Sequence, residues 1–94
     1  MIVVRNSFTA KPGCAGKLAQ QLKTMAGGRG MSNIRVMTDL VGDFNHVVLE
    51  IEAESVAAFE AMMKERSTDP EARERSAGYT DLWTTGKREI FQVV

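Results

Sequence analysis

The chain has 94 residues, 44% of them apolar and 26% charged, which is the size and balance of one globular domain rather than a disordered or fibrous chain. Twelve Lys+Arg offset twelve Asp+Glu, so no excess cationic field recruits nucleic acid or an anionic membrane surface. No apolar run approaches roughly 18 residues, and the N-terminal Met-Ile-Val-Val-Arg carries no basic leader, so neither a membrane span nor a signal peptide is expected.

Residues 2–10 (IVVRNSFTA) are rich in β-branched and aromatic side chains and run into Lys11-Pro12-Gly13. They predict a strand that stops at the turn, because proline removes a donor and glycine admits unusual dihedrals. From Cys14 to Ala26 the hydrophobic period changes. Ala15, Leu18, Ala19, Leu22, Met25 and Ala26 share one helical face, which predicts an amphipathic helix over 14–26. Gly27-Gly28-Arg29-Gly30 then reads as its stop signal. It follows a helix instead of preceding one, so its polarity is wrong for dipole-assisted phosphate binding.

Residues 33–41 predict a second strand with Ile34, Val36, Thr38 and Leu40 on one face, and residues 44–52 a third. Gly42-Asp43 between them fits a two-residue type II′ hairpin, which makes the two strands antiparallel neighbours. In strand three Asn45, Val47, Leu49 and Ile51 form the drier face, while Phe44, His46, Val48 and Glu50 point the other way. Ser55 caps a helix over 55–66 with Val56, Phe59, Met62 and Met63 inward. Asp69-Pro70 starts a short charged helix over 70–77, with Gly78 its terminator. Residues 87–94 (KREIFQVV) supply the last strand.

The order β-α-β, β-α-(α)-β in a single domain over 1–94 predicts an α+β, ferredoxin-like βαββαβ sandwich, a four-stranded antiparallel sheet with helices on one face. Strands one and three are then central neighbours. Residues 1–40 hold six basic side chains against one acid, and the remainder holds six against eleven. Parity sets Arg5 near Glu50 and Glu52, and charges so placed satisfy each other across the sheet. The face away from the helices carries Val3, Arg5, Ser7 and Thr9 with Phe44, His46, Val48 and Glu50. It is too apolar for an indifferent wet surface, and pairing two such faces in a homodimer would bury Val3, Phe44 and Val48.

Several stretches carry a resemblance: F8-T-A-K-P-G13, G42-D-F-N-H-V-V-L49, E54-S-V-A-A-F-E60 and D69-P-E71. Together they resemble the NIPSNAP-like branch of the dimeric α+β-barrel superfamily, which also holds antibiotic-biosynthesis monooxygenases and stress-responsive A/B-barrel proteins. The resemblance implies two ferredoxin-like protomers with sheets together and helices outside. It also implies one of three activities. These are a cofactor-independent monooxygenase-like enzyme acting on a small aromatic or quinone-like metabolite, a non-catalytic small-ligand-binding or stress-associated dimer, and a structural assembly module.

Haem-degrading members of that superfamily carry an asparagine on the first strand before a glycine turn, as Asn6 precedes Pro12-Gly13. They also need a tryptophan at the end of strand three, where this chain has Glu52-Ala53, and a histidine on the second helix, where 55–77 has none. Haem is therefore not expected, and neither is another cofactor or a metal. His46 and Cys14 are the sole histidine and cysteine, too few for a closed site in one subunit, and no glycine-rich nucleotide loop follows a strand. The unpaired cysteine points to a reducing cytoplasm.

A cofactor-free oxygenase needs a dry pocket with a few placed donors. Asn6 and Asn45 fall by parity on the helix-facing side, where their amides require partners, either each other, backbone, or a ligand. Tyr79 and Trp83, four apart, are candidate walls of that pocket, though such a pair also packs in ordinary cores. Arg5, His46 and Glu50 are the candidate polar groups of the inter-sheet space, where an imidazole near a carboxylate is more simply a satisfied structural group. The balanced run 64–75 reads as a solvated face.

Overall fold

The computed structural model describes residues 1–26 and 31–94; the expected Gly27–Gly30 stop signal lies outside the described residues. Strand β1 (Ile2–Ala10) leads through a turn to helix α1 (Ala15–Met25), then β2 (Ser32–Thr38) and β3 (His46–Ala53). Helices α2 (Val56–Thr68) and α3 (Pro70–Ser76), a 3-10 turn (Tyr79–Leu82) and β4 (Trp83–Gln92) complete the chain. The sheet order is β2-β3-β1-β4, every pair antiparallel. This is the ferredoxin-like α+β arrangement.

The first turn forms where proline and glycine meet. Gly13 has φ +80°, in the left-handed region, and the Cys14 N–H donates to the Lys11 carbonyl at 2.9 Å. Ser55 Oγ accepts from the Ala58 N–H at 3.1 Å, and Asp69 Oδ1 accepts from the Glu71 N–H at 3.0 Å, so both caps satisfy helix donors that would otherwise lack partners. On the helix side of the sheet Ile2, Val4, Phe8, Val47, Leu49 and Ile51 are buried against Leu18, Leu22, Phe59 and Met62. Leu18, Leu22, Val4 and Val47 are the largest fully buried side chains, which places the core over β1 and β3. Val56 and Met63, expected inward, are exposed, because α2 turns only its Phe59–Met62 stripe fully onto the sheet.

The expectations for the β2–β3 connection and for the last strand are corrected. The β2–β3 connection is not a two-residue Gly42-Asp43 hairpin; β2 stops at Thr38 and β3 starts at His46. The Asp39 carboxylate organises the loop, accepting from the Phe44 N–H at 2.9 Å and the His46 N–H at 3.0 Å. An aspartate that bonds backbone a few residues on competes with strand pairing, and Phe44 and Asn45 adopt φ +64° and +56° as a result. Phe44 therefore leaves the sheet and is exposed, as are Leu40 and Val41. The last strand starts at Trp83 rather than 87 and stops at Gln92, because Ala10 pairs with Trp83 across a bulge at the end of β1. Trp83 is thus a strand residue. No helix among the described residues is long and apolar enough to cross a membrane.

Candidate functional site

The two faces of the sheet carry different chemistry. On the helix side, β1 presents Asn6 between Val4 and Phe8, and β4 places Arg88 directly opposite it. Arg88 Nε donates to Asn6 Oδ1 at 2.8 Å, and the Arg88 guanidinium lies 5.3 Å from the centroid of the Phe59 ring. Beside this pair is a cavity of about 110 Å³, walled by Phe8, Leu22, Met25, Leu49, Phe59 and Tyr79 among others. Its polar lining residues are Asn6, Arg66, Tyr79 and Arg88. No carboxylate or imidazole lines it among the described residues. An engineered cavity of about 150 Å³ holds benzene, so this one has room for about one small ring or its edge.

Arg66 lies one turn beyond Met62 and seven residues from Phe59, at the end of the sheet-facing side of α2, and is half-buried. Its guanidinium donates to the Met25 carbonyl and approaches Met31 Sδ at 3.7 Å, tying α2 to the end of α1. Burial holds the Arg66 pKa below the ordinary guanidinium value, and the Arg75 charge adds to the shift.

Asn6 and Tyr79 both line this cavity; Asn45 and Trp83 do not. Asn45 was expected beside Asn6, but its left-handed backbone takes it out of the strand, and its carbonyl accepts from the Ala10 N–H at 2.8 Å. The partner of Asn6 is Arg88 instead. Trp83 stacks behind the wall, 5.2 Å from Phe8 and 6.2 Å from Tyr79 by ring centroid. Gly86 is the residue beneath that stack; a Cβ there would lie 3.2 Å from Trp83 and 3.3 Å from Phe8. Arg66 and Arg88 escaped the sequence reading. The run 64–75 is not wholly a solvated face, and the i+7 spacing of Arg66 from Phe59 was the available signal.

The open face holds Arg5, His46 and Glu50 along a trough of about 640 Å³, shared with Met37, Val48 and Lys87. Arg5 lies opposite Glu50. Glu50 is buried, at 7% exposure, and holds two arginines at once. Arg5 Nε donates to Oε2 at 2.8 Å, and Arg35 donates to Oε1 from Nη2 at 2.8 Å and Nε at 3.1 Å. The hydrogen bond from Arg35 is the main cause of a Glu50 pKa below the usual carboxylate value; burial opposes it and the Arg5 bond reinforces it. Glu52, the other acid expected near Arg5, instead accepts from Asn33 Nδ2 at 2.7 Å. Arg5 also lies over the Phe91 ring, 5.1 Å from its centroid.

No family model and no curated protein sequence matches the chain. Solved structures do. An uncharacterised NIPSNAP domain protein from Burkholderia xenovorans superposes with TM-score 0.85 at 13% identity, over 100% of this chain and 95% of that one. A proposed antibiotic biosynthesis monooxygenase from Chloroflexus aurantiacus gives 0.80 at 17% identity, over 99% and 92%. A NIPSNAP family protein from Agrobacterium tumefaciens gives 0.80 at 9%, over 99% and 92%. The chain shares the ferredoxin-like α+β fold of these three structures. At these identities the likeness is one of fold.

Proposed function

We propose that the protein is a homodimer, paired through its open sheet faces, whose sheet–helix cavity takes a small aromatic or quinone-like molecule and stabilises its anion, as a cofactor-independent monooxygenase would. The observation that carries this reading is the Asn6–Arg88 pair facing an apolar cavity. A guanidinium and an amide at the edge of a low-dielectric space lower the pKa of a phenol or enol and hold the resulting oxyanion. In such chemistry a substrate methylene becomes a carbonyl: dioxygen gives one oxygen atom to that carbon, and the other leaves as water with the two hydrogens. The substrate supplies all the electrons. No carboxylate or imidazole lines the cavity among the described residues, so the first proton passes to solvent through the open mouth.

That same lack of an acid–base side chain favours a second reading, a non-catalytic ligand-binding dimer. Oxygen uptake separates the two. With an anthrone probe, whose outer rings would project through the open mouth, the enzyme reading expects consumption of one dioxygen per carbonyl formed, and loss of that turnover in Asn6→Leu. Binding without uptake leaves the non-catalytic reading. Aromatic probes that bind neither the native chain nor Asn6→Leu refute both. The Asn6→Leu chain is expected to bind probes about tenfold more weakly, about 1.4 kcal/mol, with the dimer intact.

A further inference from the structure

The sheet–helix cavity does not end at Arg66. A second cavity of about 230 Å³ lies between the end of α1, α2 and α3, and it shares Met25, Met63, Arg66 and Tyr79 with the first. Beyond those four residues it is lined by Ser67, Ala72, Arg73 and Ser76. Arg66 and Arg73 thus line a space with no carboxylate among its lining residues. Arg66 gives a bond to the Met25 carbonyl and Arg73 Nε one to the Ser67 carbonyl at 3.2 Å, and neither meets an acid among the described residues.

We propose that the two cavities form one bipartite site for a monoanionic arylalkyl acid, with the ring in the sheet-side chamber and the acid group on Arg66 and Arg73. The proposal rests on the reading of the sheet-side cavity as a small-molecule site, and adds the class of ligand. The charge balance around the outer chamber supports it. No carboxylate of the described residues forms an ion pair with Arg66 or Arg73, whereas Arg5, Arg35 and Arg75 each have one. The Arg75 partner is weak, since Glu71 stands 3.9 Å away with its side chain 84% exposed, and Arg75 Nε is buried with no hydrogen-bond partner. Asp69 is the acid that acts on Arg66, but burial and the Arg75 charge both outweigh it. Asp69 Oδ1 is also engaged at the α3 cap. The two guanidiniums that line the chamber are therefore without a carboxylate partner among the described residues, and a planar carboxylate matches the guanidinium fork. Met25 and Met63 at the junction are adaptable thioethers that accept an alkyl linker between ring and acid.

Three probes with the same ring and chain test the proposal: phenylbutyrate, phenylbutanol and phenylbutylamine, titrated calorimetrically at low salt. Phenylbutyrate is expected to bind about tenfold more tightly than the alcohol, and the amine most weakly. Arg66→Gln should erase the difference between acid and alcohol. Arg73→Gln, which touches the core less because Arg73 is exposed, should narrow that difference and leave alcohol affinity unchanged. If acid and alcohol bind equally, the anionic subsite is refuted while the sheet-side site stands. If the preference for acid survives both substitutions, the charge is read elsewhere and the proposal fails. If no probe binds, the sheet-side reading falls with it.

Discussion

Glu50 is the side chain whose removal the structure prices most directly. Its two oxygens accept three charge-assisted hydrogen bonds, one from Arg5 and two from Arg35. In Glu50→Gln one acceptor remains, and the new NH2 group faces a guanidinium that it cannot satisfy. A bond to a charged group contributes about 1.5–3 kcal/mol where the partners are dry. Here the arginine side chains are 41% and 66% exposed, so water replaces much of what is lost, and the cost falls to about 1–2 kcal/mol near neutral pH. With a urea slope of about 1–1.5 kcal/mol per molar for so small a chain, the midpoint should drop by about 1 M.

The pH dependence has a definite sign. The folded Glu50 pKa lies below its unfolded value, so its contribution is present above the unfolded value of about 4.3 and is lost as pH falls through the folded one. Urea unfolding followed by Trp83 fluorescence, at fixed protein concentration, should show the deficit near neutral pH and a smaller one at about pH 3. An unchanged midpoint near neutral pH refutes the reasoning. So does a deficit that persists undiminished in acid.

Two further outcomes follow from the loop and from the open face. Asp39→Ala removes the acceptor of the Phe44 and His46 amides; it should cost about 1–2 kcal/mol and speed hydrogen exchange at both amides, and unaltered exchange would show that the loop holds without the carboxylate. Val48→Lys puts a charge in the middle of the open face, where Val48 is half-buried next to Ser7 and Met37; light scattering should find a monomer with native circular dichroism, and a persisting dimer would refute pairing through the sheets.

The elements that were legible in the sequence are those whose hydrophobic period is backed by a turn or cap residue. β1 ends at Lys11-Pro12-Gly13, and α2 and α3 begin at Ser55 and Asp69, each with its side-chain oxygen on a backbone N–H. The β2–β3 loop was not legible because two local signals compete there. Gly42-Asp43 favours a tight hairpin, while Asp39 captures two amides and draws Phe44 and Asn45 into left-handed backbone. Leu40, Val41 and Phe44 look like strand residues by type, yet all three are exposed. Apolar character alone does not pair a strand.

For the site, strand parity was enough for Asn6 and failed for Asn45 because parity holds only while the strand continues. Arg88 was hidden for another reason: its place opposite Asn6 depends on the register between the first and last strands, which no local pattern encodes.

Register is also where the open-face charges find a structural role. β2 is an edge strand with no fully buried residue, so burial contributes little to its alignment with β3. Between Ser32 and Arg35 the pairing shifts: Ser32 faces Glu52 and Arg35 faces Glu50, three steps on β2 against two on β3. Asn33, at φ +48°, sits in that bulge. Two polar pairs bracket the point: Asn33 to Glu52 at 2.7 Å, and Arg35 to Glu50 at 2.8 Å. Sliding β2 by one residue would turn Arg35 to the other face and leave Glu50 buried with only Arg5. An uncompensated buried carboxylate is costly, whereas the intact triad adds little net stability over an apolar isostere. The triad therefore acts chiefly on specificity: it selects one register for an edge strand that hydrophobic burial leaves undetermined, and so fixes the shape of the face on which the proposed dimer depends.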